Sequence, residues 1–172
     1  MLEKQVLVPK KSGIYTWFFQ EILPMVPTEN CIKNKDLTLL YVGISPSEPP
    51  INGKPPSKQN LYKRIRKHYN GNSYGSTLRL SLGCLLAQTL EIELKKVGKG
   101  NRVTFTKDGE QKLSNWMNEN AFVSWVEEPQ PWVLEKEALK NIPLPLNIRD
   151  NPLNEFSPIL SKLRSDMKKR AY

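Results

Sequence analysis

Gly13-Ile14-Tyr15-Thr16-Trp17-Phe18-Phe19 and Leu37-Thr38-Leu39-Leu40-Tyr41-Val42-Gly43-Ile44-Ser45 decide the fold. Both runs carry aromatic, β-branched and aliphatic side chains, which suit a pleated, half-buried surface. The first follows a Ser-Gly turn signal. Residues 13–19 and 37–44 are therefore predicted strands. The segment between them holds Pro24, Pro27 and polar residues, so the connection is longer than a tight hairpin. Gly13 and Gly43, at the strand ends, let the backbone turn or approach closely.

Working outward, residues 46–59 contain five prolines and one glycine, which forces a loop. Asn60 or Ser57 then offers an N-cap for LYKRIRKHY, whose residues 61, 62, 65 and 69 fall near helical spacing. TLRLSLGCLLAQTL is leucine-rich and reads as a buried helix interrupted by Gly83. Residues 91–107 suggest a hairpin turning at KVGKGN, and residues 109–119 a short helix. AFVSWVEE alternates as a strand, and PWVLEKEALKN begins a helix with Pro131 in its first turn. Residues 157–170 read as a basic amphipathic helix. This order predicts an α/β (α+β) fold: a small mixed, mainly antiparallel sheet flanked by helices. One domain over residues 1–172 is expected, with a core at about 12–148 and a basic helical extension at 149–172.

The chain has 172 residues, with 26 Lys and Arg against 17 Asp and Glu for a net charge of +9. That surface favours a polyanionic partner through Coulomb attraction and counterion release. Cys31 and Cys84 are too few for a disulfide framework or metal cluster and read as buried free thiols. The start, MLEKQVLVPKKSG, lacks the apolar core of a leader, and no run approaches the roughly 18 apolar residues of a membrane span. An intracellular, cytoplasmic setting without membrane contact is the expectation.

Chemistry concentrates on a few side chains. Tyr15 and Tyr41 suit a strand's buried face. Their phenols can also position water, or take its proton if positive charge lies near, since a free phenol has a pKa of about 10. Lys11, Lys63, Arg64 and His68 are the candidates to supply that charge. Arg64 and His68 are four apart, on one helix face. A guanidinium grips two phosphate oxygens at once, and an imidazole relays protons near neutral pH. His68 is the only histidine, which excludes a histidine-based metal site. Glu135 offers the hard oxygen that Mg²⁺ or Mn²⁺ prefers. Asn147, twelve residues on, caps or braces a turn. Lys63 and Lys67 beside Arg64, Arg79 in a Gly/Ser/Asn-rich stretch with Tyr74, and the basic cluster Lys162, Arg164, Lys168, Lys169 and Arg170 are candidate nucleic-acid contacts. Trp116, Trp125 and Trp132 read as core.

The ordered set Tyr15, Tyr41, Arg64, His68, Glu135 and Asn147 resembles the GIY-YIG nuclease family over most of the chain. E-x-x-A-L-x-x-x-x-P-L-x-N, from Glu135 to Asn147, is similar to the catalytic helix of bacterial excision-repair nucleases. Arg-x-x-x-His is closer to the restriction-endonuclease branch. Gly13-Ile14-Tyr15 and Tyr41-Val42-Gly43 match the family's two tripeptides, with Val42 where the second usually has Ile, and the inserts at 46–59 and 91–118 exceed those of minimal members. The resemblance implies a metal-dependent endonuclease acting on nucleic acid, chiefly DNA. Tyr15 would be general base or water-orienting group, supported by Tyr41 and His68. Arg64 would stabilise the transition state, and Glu135 would hold one Mg²⁺ or Mn²⁺. A palindromic target would imply a homodimer. The competing expectation is a nucleic-acid-binding module of the same fold without catalysis.

Overall fold

In the computed structural model, which describes residues 7–52 and 54–172, Gly13–Phe19 forms strand β1 with its odd positions buried. Residues 1–6, which begin the segment read as lacking a leader core, and Gly53 of the proline-rich loop lie outside the described residues. Lys33–Asn34 forms the short β2, and Leu37–Ser45 forms β3. Tyr15 pairs opposite Gly43 and Trp17 opposite Tyr41. Period-two alternation therefore puts both tyrosines on the same sheet face. Later in the chain, β4 (Leu94–Lys96) and β5 (Val103–Phe105) make the expected hairpin, which forms a sheet of its own. Strand β6 (Ala121–Glu127) pairs with β1. The main sheet runs β2-β3-β1-β6, and the mainly antiparallel sheet expected is antiparallel in every ladder among the described residues.

Helix α1 (Leu61–Asn70) starts where Asn60 accepts a hydrogen bond from the Lys63 N–H, and α2 (Thr77–Leu85) where Ser76 accepts from the Arg79 N–H. Each cap satisfies an amide the helix cannot. The leucine-rich stretch breaks at Leu86, before the short α3 (Ala87–Leu90), and not at Gly83. Gly83 lies inside α2, and the Phe105 ring occupies the place a Cβ there would take, so the position requires glycine. Helix α4 (Lys107–Asn120) is longer than 109–119, since Thr106 caps it earlier. Pro131 opens α5 (Pro131–Asn141), and α6 spans Ser157–Arg170.

The face carrying Tyr15, Trp17 and Phe19 packs into the main core with Leu61, Leu78, Leu113 and Leu160, from α1, α2, α4 and α6. Each such side chain contributes roughly 1.5–3 kcal/mol by leaving water. Helix α5 covers the opposite face through Leu139, against Leu39, Val42 and Leu144. Phe156, Leu160 and Ala171 also join the main core, so the 149–172 segment is packed, not free-standing. Cys84 is buried and Cys31 half-buried, both free thiols. No helix among the described residues is long and apolar enough to cross a membrane.

Candidate active site

The register of β1 against β3 creates the site. With Gly43 opposite Tyr15, the Tyr15 phenol occupies the space a side chain at 43 would take. The phenol is fully buried and lies 2.8 Å from His68 Nε2. His68 Nδ1 is 2.7 Å from the Ser76 hydroxyl that caps α2. Arg64 Nε donates to Tyr15 Oη at 3.4 Å, and Arg64 Nη1 to the Gly75 carbonyl at 3.4 Å. One turn of α1 thus delivers both residues to the same phenol, as their spacing predicts.

Electrostatics set the protonation states. Burial, then the neighbouring Tyr41, hold the Tyr15 phenol well above its ordinary 10.0, although Arg64 pulls the other way. Burial likewise raises Tyr41, against the pull of Arg64 and Thr77. Burial depresses His68 well below 6.5, helped by Arg64, Arg79 and Lys67. His68 is therefore a neutral imidazole, able to accept a proton but not to lend Tyr15 positive charge. That role falls to Arg64. Burial alone would lower the Arg64 guanidinium, but contact with both phenols lifts it above its ordinary value.

Glu135, on the sheet-facing side of α5, closes the same cleft. A cavity of about 640 Å³ brings together Tyr15, Tyr41, Gly43, Arg64 and Glu135, with Asp150 beside them. Burial, then the Asp150 carboxylate, push Glu135 up to about 7, against the pull of Lys136. The Lys136–Glu48 ion pair at 2.7 Å ties the proline-rich loop to α5 at the rim.

The sequence profile of the GIY-YIG catalytic domain matches residues 13–166. The chain belongs to the GIY-YIG family. No curated protein and no solved structure matches it. A GIY-YIG catalytic domain is of nuclease type, so nucleic acid is the substrate class.

Other predicted residues of this GIY-YIG domain take different places. Asn147 braces rather than lines this cleft: its Oδ1 accepts from Val42 N–H at 2.9 Å and its Nδ2 donates to Val42 O at 2.8 Å. That clamp fixes β3 between Tyr41 and Gly43. Arg79 does not reach out to phosphate. It is fully buried, paired with Glu110 at 2.7 Å and donating to the His68 and Tyr69 carbonyls at 3.0 and 2.8 Å. A charge this deep survives only with such partners, and it locks the end of α1 that carries His68. Lys63 and Lys67 are exposed and do not line the cleft. Lys11, one of the candidates to charge Tyr15, is paired with Glu127 at 2.9 Å. Lys162 pairs with Asp166, and Lys169 lies 3.9 Å from the same carboxylate. Trp116 is buried, while Trp125 and Trp132 are half-buried, Trp132 at the cleft wall.

Sequence reasoning missed Ser76, Thr77, Arg149 and Asp150. Ser76 carries a cap signal before an apolar run. Arg149-Asp150 shows only as a charged pair after PLPLNI, and Asp150 holds a left-handed backbone (φ 54°) that Asp tolerates.

Proposed function

We propose that this chain is a metal-dependent endonuclease hydrolysing phosphodiester bonds in DNA. The observation that carries the reading is the convergence of Tyr15, Tyr41, Arg64 and Glu135 in one cleft, with neutral His68 bonded to Tyr15. The residues fit a divalent cation. Glu135 has no hydrogen bond or ion pair among the described residues, and its charge is destabilised by burial and by Asp150. A hard cation offsets both costs, and one carboxylate suffices for Mg²⁺ or Mn²⁺ that keeps waters and substrate oxygens in its shell. Bound there, the ion supplies charge neutralisation at the scissile phosphate.

The chain's own residues do the rest. Because both phenols stay protonated at rest, Tyr15 acts as a relay. As a water attacks phosphorus, its proton passes to Tyr15 Oη while the Tyr15 proton passes to His68 Nε2 across the 2.8 Å contact, the negative charge growing on the phosphoryl oxygens offsetting the cost of a buried imidazolium. This needs the His68 tautomer that donates from Nδ1 to Ser76, whose oxygen lies 2.7 Å away. The P–O bond to the leaving strand breaks, and solvent protonates the leaving oxygen. Arg64 faces the charge that grows on the phosphoryl oxygens. Gly43 and the Asn147 clamp position Tyr15 and Tyr41. Free cysteines fit a reducing, cytoplasmic setting. One cleft cuts one strand, so a palindromic duplex would take two copies.

The test is incubation with supercoiled plasmid, linear duplex, single-stranded DNA and RNA, each with Mg²⁺, Mn²⁺ or EDTA. Metal-dependent cutting of DNA is expected. Cutting of RNA alone overturns the substrate assignment. Tight, salt-dependent binding with no cutting would make the chain a silent binding module.

A further inference from the structure

A second cavity, of about 500 Å³, opens from the catalytic cleft on the far side of Tyr41 and Glu135. The two share Tyr41, Glu135, Leu139, Arg149 and Asp150. The Glu135 and Asp150 carboxylates lie at this junction. Arg149 stands beside them, and beyond the junction Arg164 and Lys168 line the wall with the hydroxyls of Thr77, Ser161 and Ser165. Leu139, Leu146 and Ile148 add apolar surface.

What sets these three cations apart is that they converge on one cavity while lacking partners. Among the described residues no carboxylate lies within ion-pair distance of Arg149, Arg164 or Lys168. Elsewhere on α6, Lys162 and Lys169 both turn to Asp166. Arg164 is also half-buried: burial and the neighbouring Arg149 both work against its charge. Two guanidiniums held near each other without a counter-ion form a ready anion site. The apolar surface beside them suits a sugar or base, which a free inorganic anion would not use.

We propose that this cavity is a subsite for the nucleotide next to the scissile phosphate, with Arg149, Arg164 and Lys168 taking that nucleotide's own phosphate. The proposal rests on the nuclease reading for the word scissile, but the binding it requires does not depend on cleavage. Helix α6 then acts as one wall of the substrate channel, and the strand runs from the Ser57–Gln59 rim past Tyr15 into the α6 cavity.

The experiment is fluorescence anisotropy of a labelled DNA duplex over a salt series in EDTA, with Lys168→Ala, Arg164→Ala and Lys169→Ala variants. Lys168→Ala and Arg164→Ala are expected to weaken binding severalfold to tenfold and to reduce the slope of log affinity against log salt by about one each. Lys169→Ala removes the same charge one residue away, outside the cavity, and should change the slope less. Equal losses for Lys168→Ala and Lys169→Ala would overturn the subsite in favour of diffuse attraction. So would unchanged slopes in all three. Should Arg164→Ala lower the melting temperature, the exposed Lys168 variant decides alone. Because no metal is present, a protein that cuts nothing still answers, and failure of the nuclease reading stays separate from failure of the subsite.

Discussion

Replacing Glu135 by Gln should make the metal-free protein more stable at alkaline pH while abolishing its chemistry. Burial and Asp150 lift the Glu135 carboxyl from an ordinary 4.5 to about 7. A group raised on folding stabilises the native state fully below its unfolded value and loses that contribution as pH rises through its folded value. At about pH 8.5 the native protein therefore carries a disfavoured carboxylate, whereas at about pH 5 it does not. At about 1.4 kcal/mol per pH unit the rise corresponds to about 3 kcal/mol. Glu135 is partly open to water, and screening brings this down to about 1–2 kcal/mol. In a chain of this size that is a shift of roughly 2–8 °C in Tm. The assay is thermal unfolding by circular dichroism across pH in EDTA, then again in Mg²⁺. Glu135→Gln should melt higher than wild type at high pH, with the gap closing toward pH 5. Mg²⁺ should then raise wild type and leave the variant unmoved, because only a ligand that binds the native state shifts the melt. A Glu135→Gln protein less stable than wild type at high pH, or a gap independent of pH, would refute the electrostatic account of this residue.

Three further outcomes follow from named contacts. Arg64→Lys keeps the charge but loses the planar fork, and DNA cleavage should fall about 10²–10³-fold in kcat in single-turnover assays. Gly43→Ala drives a methyl into the Tyr15 ring, so about 1–3 kcal/mol of stability should be lost in urea titrations, along with activity. Glu110→Ala strands the fully buried Arg79 guanidinium and should cost about 3–5 kcal/mol by urea unfolding.

The sequence exposed what depends on local pattern. The aromatic and β-branched runs at 13–19 and 37–44, the Asn60 cap and Pro131 at a helix start all mark elements the structure contains. The i, i+4 pair Arg64 and His68 reached one phenol because helical spacing is fixed. What stayed hidden depends on partners far along the chain. Arg79 looked like a phosphate contact because Glu110, which pairs with it in the interior, lies thirty-one residues later. Gly83 looked like a breaker because the Phe105 ring that requires it belongs to another element. His68 appeared able to charge Tyr15, yet burial removes its proton, and burial is not visible in a helix of alternating cations. Asn147 seemed a turn residue, but its target is Val42, 105 residues earlier.

The most direct test of the account is single-turnover cleavage of plasmid DNA in Mg²⁺ or Mn²⁺ by wild type and Tyr15→Phe, with folding checked by circular dichroism. Removing one hydroxyl ends the relay to His68. Metal-dependent cutting by wild type and a loss of about 10²–10⁴-fold in the folded variant are predicted. Undiminished cutting by Tyr15→Phe would contradict the assignment of this cleft as the place where the bond is broken.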